Sequence, residues 1–167
     1  YQPKDNILTA PFYHSQNGLE SIVHIQKEKV QMYCYESQKN KFALVWETKD
    51  VNHPLLIKNT VLFAGDFDND NVSEILIVNK QTLIWDLYHF KNSSWELKTK
   101  GTQLFPAQWC EQNKVSVSNS MQAKGKTVLV KSTSSGIETL ALTDGKWNVS
   151  QTKLKVQLHN HKETDMF

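Results

Sequence analysis

The chain predicts an all-β fold, built as about three four-stranded antiparallel blades of a β-propeller, partial or completed by another chain. Three observations carry this. Short runs of β-branched and aromatic residues alternate with turn residues along nearly all of its 167 residues. These runs fall into sets of four that recur with a period of about 50 residues, a spacing typical of blades. No segment carries the periodicity of an amphipathic helix; residues 121–126 are too few, and Gly125 weakens them further.

The first repeat covers residues 7–53, with strands expected at 7–12, 20–26, 29–37 and 41–49. The second covers 61–105, with strands at 61–66, 74–79, 82–90 and 94–100. The third covers 114–153, with strands at 114–119, 126–132, 136–143 and 146–153. Asp66 placed over Tyr13 aligns the first two repeats, and Ile75-Leu76-Ile77 then falls on Ile22-Val23-His24. The same spacing carries Ile75-Leu76-Ile77 forward to Val128-Leu129-Val130, and Trp46, Trp95 and Trp147 are expected near one place in each repeat. Asn17-Gly18 and Asp144-Gly145 are strong hairpin signals and Asn92-Ser93 a weaker one, because a type I′ turn needs positive φ at both central residues. Pro3, Pro11, Pro54 and Pro106 fall at strand ends or connectors, where no ladder hydrogen bond is lost. Residues 154–167 form a tail, and 155–162 read as one more strand. A plain β-sandwich has the same strand count, but the repeated Trp and the acidic loop favour blades. Closed propellers need at least about four blades. The chain is therefore expected to be a piece of a larger propeller, to pair as a homodimer in a six-bladed ring, or to take further blades from another protein chain.

Composition excludes several classes. The chain is 22% charged and carries a net charge of +2, too small to mark a nucleic-acid binder. All 19 basic residues are Lys, and bidentate reading of phosphate or guanine is mainly arginine work. No apolar run reaches the ~18 residues of a membrane span. No P-loop, nucleophile elbow, Cys-His signature or zinc-hydrolase helix occurs, so no catalysis is expected. Cys34 lies in the first repeat and Cys110 in the connector before the third, so both are expected to be free, which leans towards an intracellular compartment. The sequons at Asn71, Asn92 and Asn148, with the acidic loop below, lean the other way, and localisation stays open.

Residues 65–78 are the most informative stretch. Asp66, Asp68, Asp70 and Glu74 occupy positions 1, 3, 5 and 9 of a loop between two strand-like runs. Carboxylates so close repel one another unless a cation neutralises them, and calcium accepts six to eight oxygen ligands in a forgiving geometry. The expected metal ligands are Asp66, Asp68, Asp70 and Glu74, with the backbone carbonyl of Val72. Asn71 stands where such loops usually carry Gly, and Asn tolerates left-handed angles. An EF-hand is excluded, since position 12 is Ile77 and both flanks read as strands.

This loop, with the repeats around it, resembles the FG-GAP repeat of integrin α-subunits and the related bacterial VCBS-type repeats, over roughly residues 7–153. Two departures are the Asn71 already noted and Glu74 where Asp is usual. The resemblance implies that calcium stiffens one blade and does no chemistry, and that the propeller face binds other proteins or glycans. The function expected is a non-catalytic protein-interaction module. A carbohydrate-binding propeller is the alternative, with Trp109 the exposed stacking candidate; an accessory domain of a secreted enzyme or toxin is another. His159 and His161, with Glu163 beyond, offer a weak zinc-like spacing.

Overall fold

The computed structural model describes residues 6–10, 12, 21–119 and 127–153. Among the described residues, twelve strands form three separate antiparallel sheets, each a simple meander. The first holds β1 (Asn6–Ala10), β2 (Ser21–Ile25), β3 (Val30–Glu36) and β4 (Lys41–Thr48). The second holds β5 (Thr60–Gly65), β6 (Glu74–Asn79), β7 (Trp85–Lys91) and β8 (Ser94–Lys100). The third holds β9 (Ser116–Asn119), β10 (Thr127–Thr133), β11 (Gly136–Thr143) and β12 (Lys146–Lys153). β5 lies between β1 and β9, so the first strands of the three sheets are neighbours. The Asn17-Gly18 turn, residues 121–126 and the tail strand at 155–162 fall outside the described residues.

Side chains alternate between the two faces of a strand, and directly paired residues share a face. The registers therefore define equivalent rows. One face of the first sheet carries Thr9–Ile22–Tyr33–Leu44. The second carries Ala64–Ile75–Tyr88–Leu97, and the third Val117–Leu129–Leu140–Val149. Beside each row sits a pair next to the last hairpin: Tyr35–Phe42, Phe90–Trp95 and Leu142–Trp147. We call this the leading face. The trailing face carries Leu8–Val23–Met32–Trp46 in the first sheet and Phe63–Leu76–Leu87–Thr99 in the second.

The core forms where a trailing face meets the next leading face. Leu8, Val23, Met32 and Trp46 pack with Ile75, Phe90 and Trp95 in one cluster. Phe63, Leu76 and Leu87 pack with Leu129, Leu140 and Leu142 in the other. One aromatic contact is repeated. Phe12, two residues past β1, meets Trp95 edge-on at 5.4 Å; Phe67, two residues past β5, meets Trp147 edge-on at 6.3 Å. The rows also correct one expectation. Trp95 and Trp147 are equivalent, each the second residue of its fourth strand, but Trp46 sits near the far end of β4 on the trailing face. Phe42 holds the equivalent place.

Turns follow local chemistry. Asn92-Ser93 and Asp144-Gly145 both take positive φ, as a type I′ hairpin requires. At the second junction Gly65 allows close approach: a Cβ there would run into the Thr127 side chain, and the Thr127 N–H donates to the Asp66 carbonyl at 3.0 Å. No helix among the described residues is long and apolar enough to cross a membrane.

Candidate functional site

The acidic segment connects β5 to β6, with Gly65 paired to Glu74. Asn69 and Asn71 both take the left-handed conformation, φ 66 and 68°, so Asn71 does serve where glycine is usual. The loop then hydrogen-bonds itself. The Asp66 carboxylate accepts the N–H of Asp70 at 3.1 Å on Oδ1 and of Asn71 at 2.9 Å on Oδ2. Asp70 Oδ1 accepts the Val72 N–H at 2.9 Å, and Glu74 Oε2 accepts the Phe67 N–H at 2.9 Å. These bonds turn every carboxylate except Asp68 into a clamp on the backbone. Val72 joins the cluster through its amide N–H.

Asp66, Asp68, Asp70 and Glu74 converge, with one carboxylate oxygen of each within 4.8 Å of the others. A fifth residue, Lys98, completes the site. Its Nζ lies 2.8 Å from Asp68 Oδ2, 2.6 Å from Asp70 Oδ2 and 2.7 Å from Glu74 Oε1. An ammonium has three N–H donors, and here each finds a carboxylate. Lys98 arrives by way of a backbone irregularity. Leu87 pairs with Thr99 and Tyr88 with Leu97, which leaves Lys98 as the extra residue of a β-bulge. Bulges re-aim side chains in this way. The first sheet has the same bulge, with Val45 as its extra residue, and there an exposed valine occupies the place.

Burial and charge oppose each other in this cluster. Glu74 is fully buried, and burial pushes its pKa up to about 7, although Lys98 and the Phe67 N–H pull it back. Burial also disfavours charge on Lys98, but its three carboxylate partners outweigh that and hold its pKa above the ordinary lysine value. For Asp70 burial is outweighed by Lys98 and the Val72 N–H, so its carboxyl stays below the usual range. The donor set suits an oxygen-liganded cation such as calcium, since it is all carboxylate. It also suits the ammonium that three of its members hold. Four carboxylates against one ammonium leave the cluster negative.

The other candidates fare differently. Trp109, expected to be an exposed stacking platform, is fully buried in a short turn between the second and third sheets. It packs with Phe63, Phe105 and Leu129, and Lys131, itself paired to Glu138, covers its ring at 4.6 Å. Cys34 and Cys110 are both free thiols. Burial raises the Cys110 pKa, the opposite of what activates a thiolate. His53 caps a turn by accepting the Leu55 N–H at 3.4 Å, and burial lowers its pKa. His159, His161 and Glu163 lie outside the described residues. A cleft of about 700 Å³ opens between the first strands of the three sheets, lined by Leu8 and Thr9, Leu62 and Phe63, and Val115 and Val117. Gln112 fixes one wall by donating to the Leu62 carbonyl at 3.0 Å.

The comparisons with known proteins add no identity: no family model, no curated protein and no solved structure matches this chain.

Proposed function

We propose that this chain is a non-catalytic protein-interaction module of propeller-type blades, in which a cation cross-links the acidic hairpin. The observation that carries the reading is the repeated packing of trailing face on leading face, with the Phe12–Trp95 and Phe67–Trp147 contacts in register. Such stacking builds a stiff support whose loops and edges meet other macromolecules. The hairpin's cation is Lys98, and calcium exchanges with it. Calcium takes the carboxylate oxygens that Lys98 holds, and the ammonium turns out to solvent. Exchange against a tethered ammonium keeps calcium affinity weak, about 10⁻⁴–10⁻³ M, the range of extracellular modules. The carbohydrate reading has lost its platform, since Trp109 is enclosed.

Melting curves in calcium and in chelator test the metal. Millimolar calcium is expected to raise the melting temperature of the parent, and the rise is expected to be larger in Lys98→Met and absent in Asp68→Ala. Parent and Lys98→Met melting alike in calcium and chelator would remove calcium from the reading. Saturable binding on a glycan array would replace the protein-interaction reading with the carbohydrate one.

A further inference from the structure

The two ends of the second sheet differ in charge and in exposed apolar surface. In an antiparallel meander the start of the first strand, the second turn and the end of the last strand share one end. Ile57 precedes β5, Ile84 sits between β6 and β7, and Leu104 follows β8, so all three lie at the end opposite the acidic hairpin. They are 50%, 49% and 65% exposed. Among the described residues the hairpin end, 65–74 with 91–94, exposes no large apolar side chain. Single exposed aliphatics are ordinary, but three on adjoining connectors make a patch.

Hydrogen bonds hold these connectors side by side. The Lys80 N–H donates to the Asn59 carbonyl, the Phe105 N–H to the Leu83 carbonyl and the Gly101 N–H to the Trp85 carbonyl, each at 2.8 Å. The turn between β6 and β7 is closed by the Leu83 N–H on the Asn79 carbonyl at 2.8 Å and the Asn79 N–H on the Ile84 carbonyl at 2.9 Å. Leu83 takes φ 58°, which a bulky residue adopts only where its surroundings impose it. Lysines accompany the patch. Residues 57–60, 79–86 and 99–105 contain Lys58, Lys80 and Lys100 and a single acid, Asp86, which pairs across the strands with Lys100. All three lysines are exposed, and none forms an ion pair among the described residues. Acids of the flanking connectors are engaged: Asp50 Oδ1 accepts the Asn52 N–H at 3.0 Å, and Glu111 pairs with Lys114 at 2.5 Å.

We infer that this end of the second sheet docks on an anionic lipid surface, with Ile57, Ile84 and Leu104 entering the headgroup boundary and Lys58, Lys80 and Lys100 meeting the headgroups. Interfacial binding grows with the apolar area buried and with the attraction of lysines for anionic lipid, and one end of this sheet supplies both. Side chains projecting singly from turns suit a fluid interface that closes around each of them. A folded protein would need a matching pocket for each, and a nucleic acid would engage the lysines but not the aliphatics. The same polarity directs the four carboxylates of the hairpin away from the anionic headgroups. The inference stands on the second sheet alone and goes beyond the protein-interaction reading.

Sedimentation with vesicles tests it, in chelator so that calcium cannot bridge the acidic hairpin to headgroups. The parent is expected to sediment with vesicles of equal parts phosphatidylcholine and phosphatidylserine, to stay in solution with phosphatidylcholine alone, and to be released by high salt. Ile84→Ser is expected to weaken binding about tenfold, and Lys58→Gln and Lys80→Gln about fivefold each. Their melting temperatures are expected to match the parent's, because all three side chains are exposed. Phe42→Ser, at an exposed apolar position of the first sheet, is expected to bind as the parent does. A parent that stays in solution with both vesicles would overturn the inference. Equal binding to the two vesicles, or binding unchanged in Ile84→Ser and Lys58→Gln, would overturn it as well. Capture of an acidic polypeptide without any vesicle binding would reassign the patch to a protein partner.

Discussion

The leading faces of the first and second sheets share one cross-strand row and one hairpin pair in two settings, although the next row carries His24 in the first sheet and Ile77 in the second. Each has an isoleucine, a tyrosine and a leucine in one cross-strand row, an aromatic pair at the hairpin end and a bulge between the third and fourth strands. In the second sheet Ile75 and Trp95 are buried; in the first, Ile22 is partly exposed and Phe42 more so. The fourth-strand leucines do not differ, with Leu44 48% and Leu97 49% exposed. Exposure of an apolar residue at the outer strand is thus a property of the sheet's rim, whereas exposure at the second strand and hairpin tracks whether another sheet packs there among the described residues. A single exposed leucine says little, and a repeated position that changes burial says much.

The largest expected effect comes from removing the shared aromatic in both settings. Trp95→Ala is expected to cost about 3–5 kcal/mol in urea unfolding, and Phe42→Ala, at a concentration where chains are single, less than about 1 kcal/mol. Equal losses would mean that the two faces are equally packed. Next comes the bulge. Lys98→Met leaves Glu74 buried without its charged partner and is expected to cost about 3 kcal/mol, while Val45→Met at the matching bulge is expected to be neutral within noise. A harmless Lys98→Met would show that the ammonium contributes nothing to the hairpin.

The acid at Glu74 sharpens the same contrast, because the paired position in the first sheet is Ser21, which does not titrate. Its folded pKa of about 7 stands above the ordinary 4.5, so the folded state binds the proton more tightly. Its contribution is therefore fully present below pH 4.5 and is lost as pH rises towards about 7. In chelator, stability is expected to fall across that window by up to about 3 kcal/mol from this group, and Glu74→Gln is expected to flatten the slope. A slope unchanged by Glu74→Gln would assign it elsewhere. Asp70 acts oppositely, since its lowered pKa gives stability that is lost as pH falls below the ordinary aspartate value of 3.8. The smallest effect concerns the hairpins. Ser93 holds φ 61° where the third sheet has Gly145, so Ser93→Gly is expected to stabilise by about 0.5–1 kcal/mol. A loss would show that the serine's own contacts outweigh its backbone strain.

Much of the architecture was legible in the sequence because alternation and turn chemistry are local. β6, β8, β11 and β12 have the expected limits. β7 starts later than its apolar run suggests, at Trp85. Asn79 Oδ1 accepts the N–H groups of Gln81 and Thr82, and Leu83 takes φ 58°, so a turn takes the first residues of that run. The acidic cluster was legible too, because its four members lie in one loop. Lys98 was not. It is one lysine among 19, distant in sequence from the loop, and only the bulge turns it inward. Trp109 misled for a related reason: it lies in an aperiodic connector, and nothing local signals that the connector folds under the third sheet. Trp46 misled because equal spacing of tryptophans ignores which face each one occupies.

Lys98 has a consequence for where the protein can work. A loop that depends on a dissolved ion keeps its shape only where that ion is plentiful, and so ties the fold to one cellular address. A counter-ion fixed to the next-but-one strand in space is present at constant effective concentration everywhere. Lys98 seated on Asp68, Asp70 and Glu74 gives the hairpin a counter-ion that needs no dissolved calcium. The acidic spacing is therefore no longer by itself a pointer to a calcium-rich compartment.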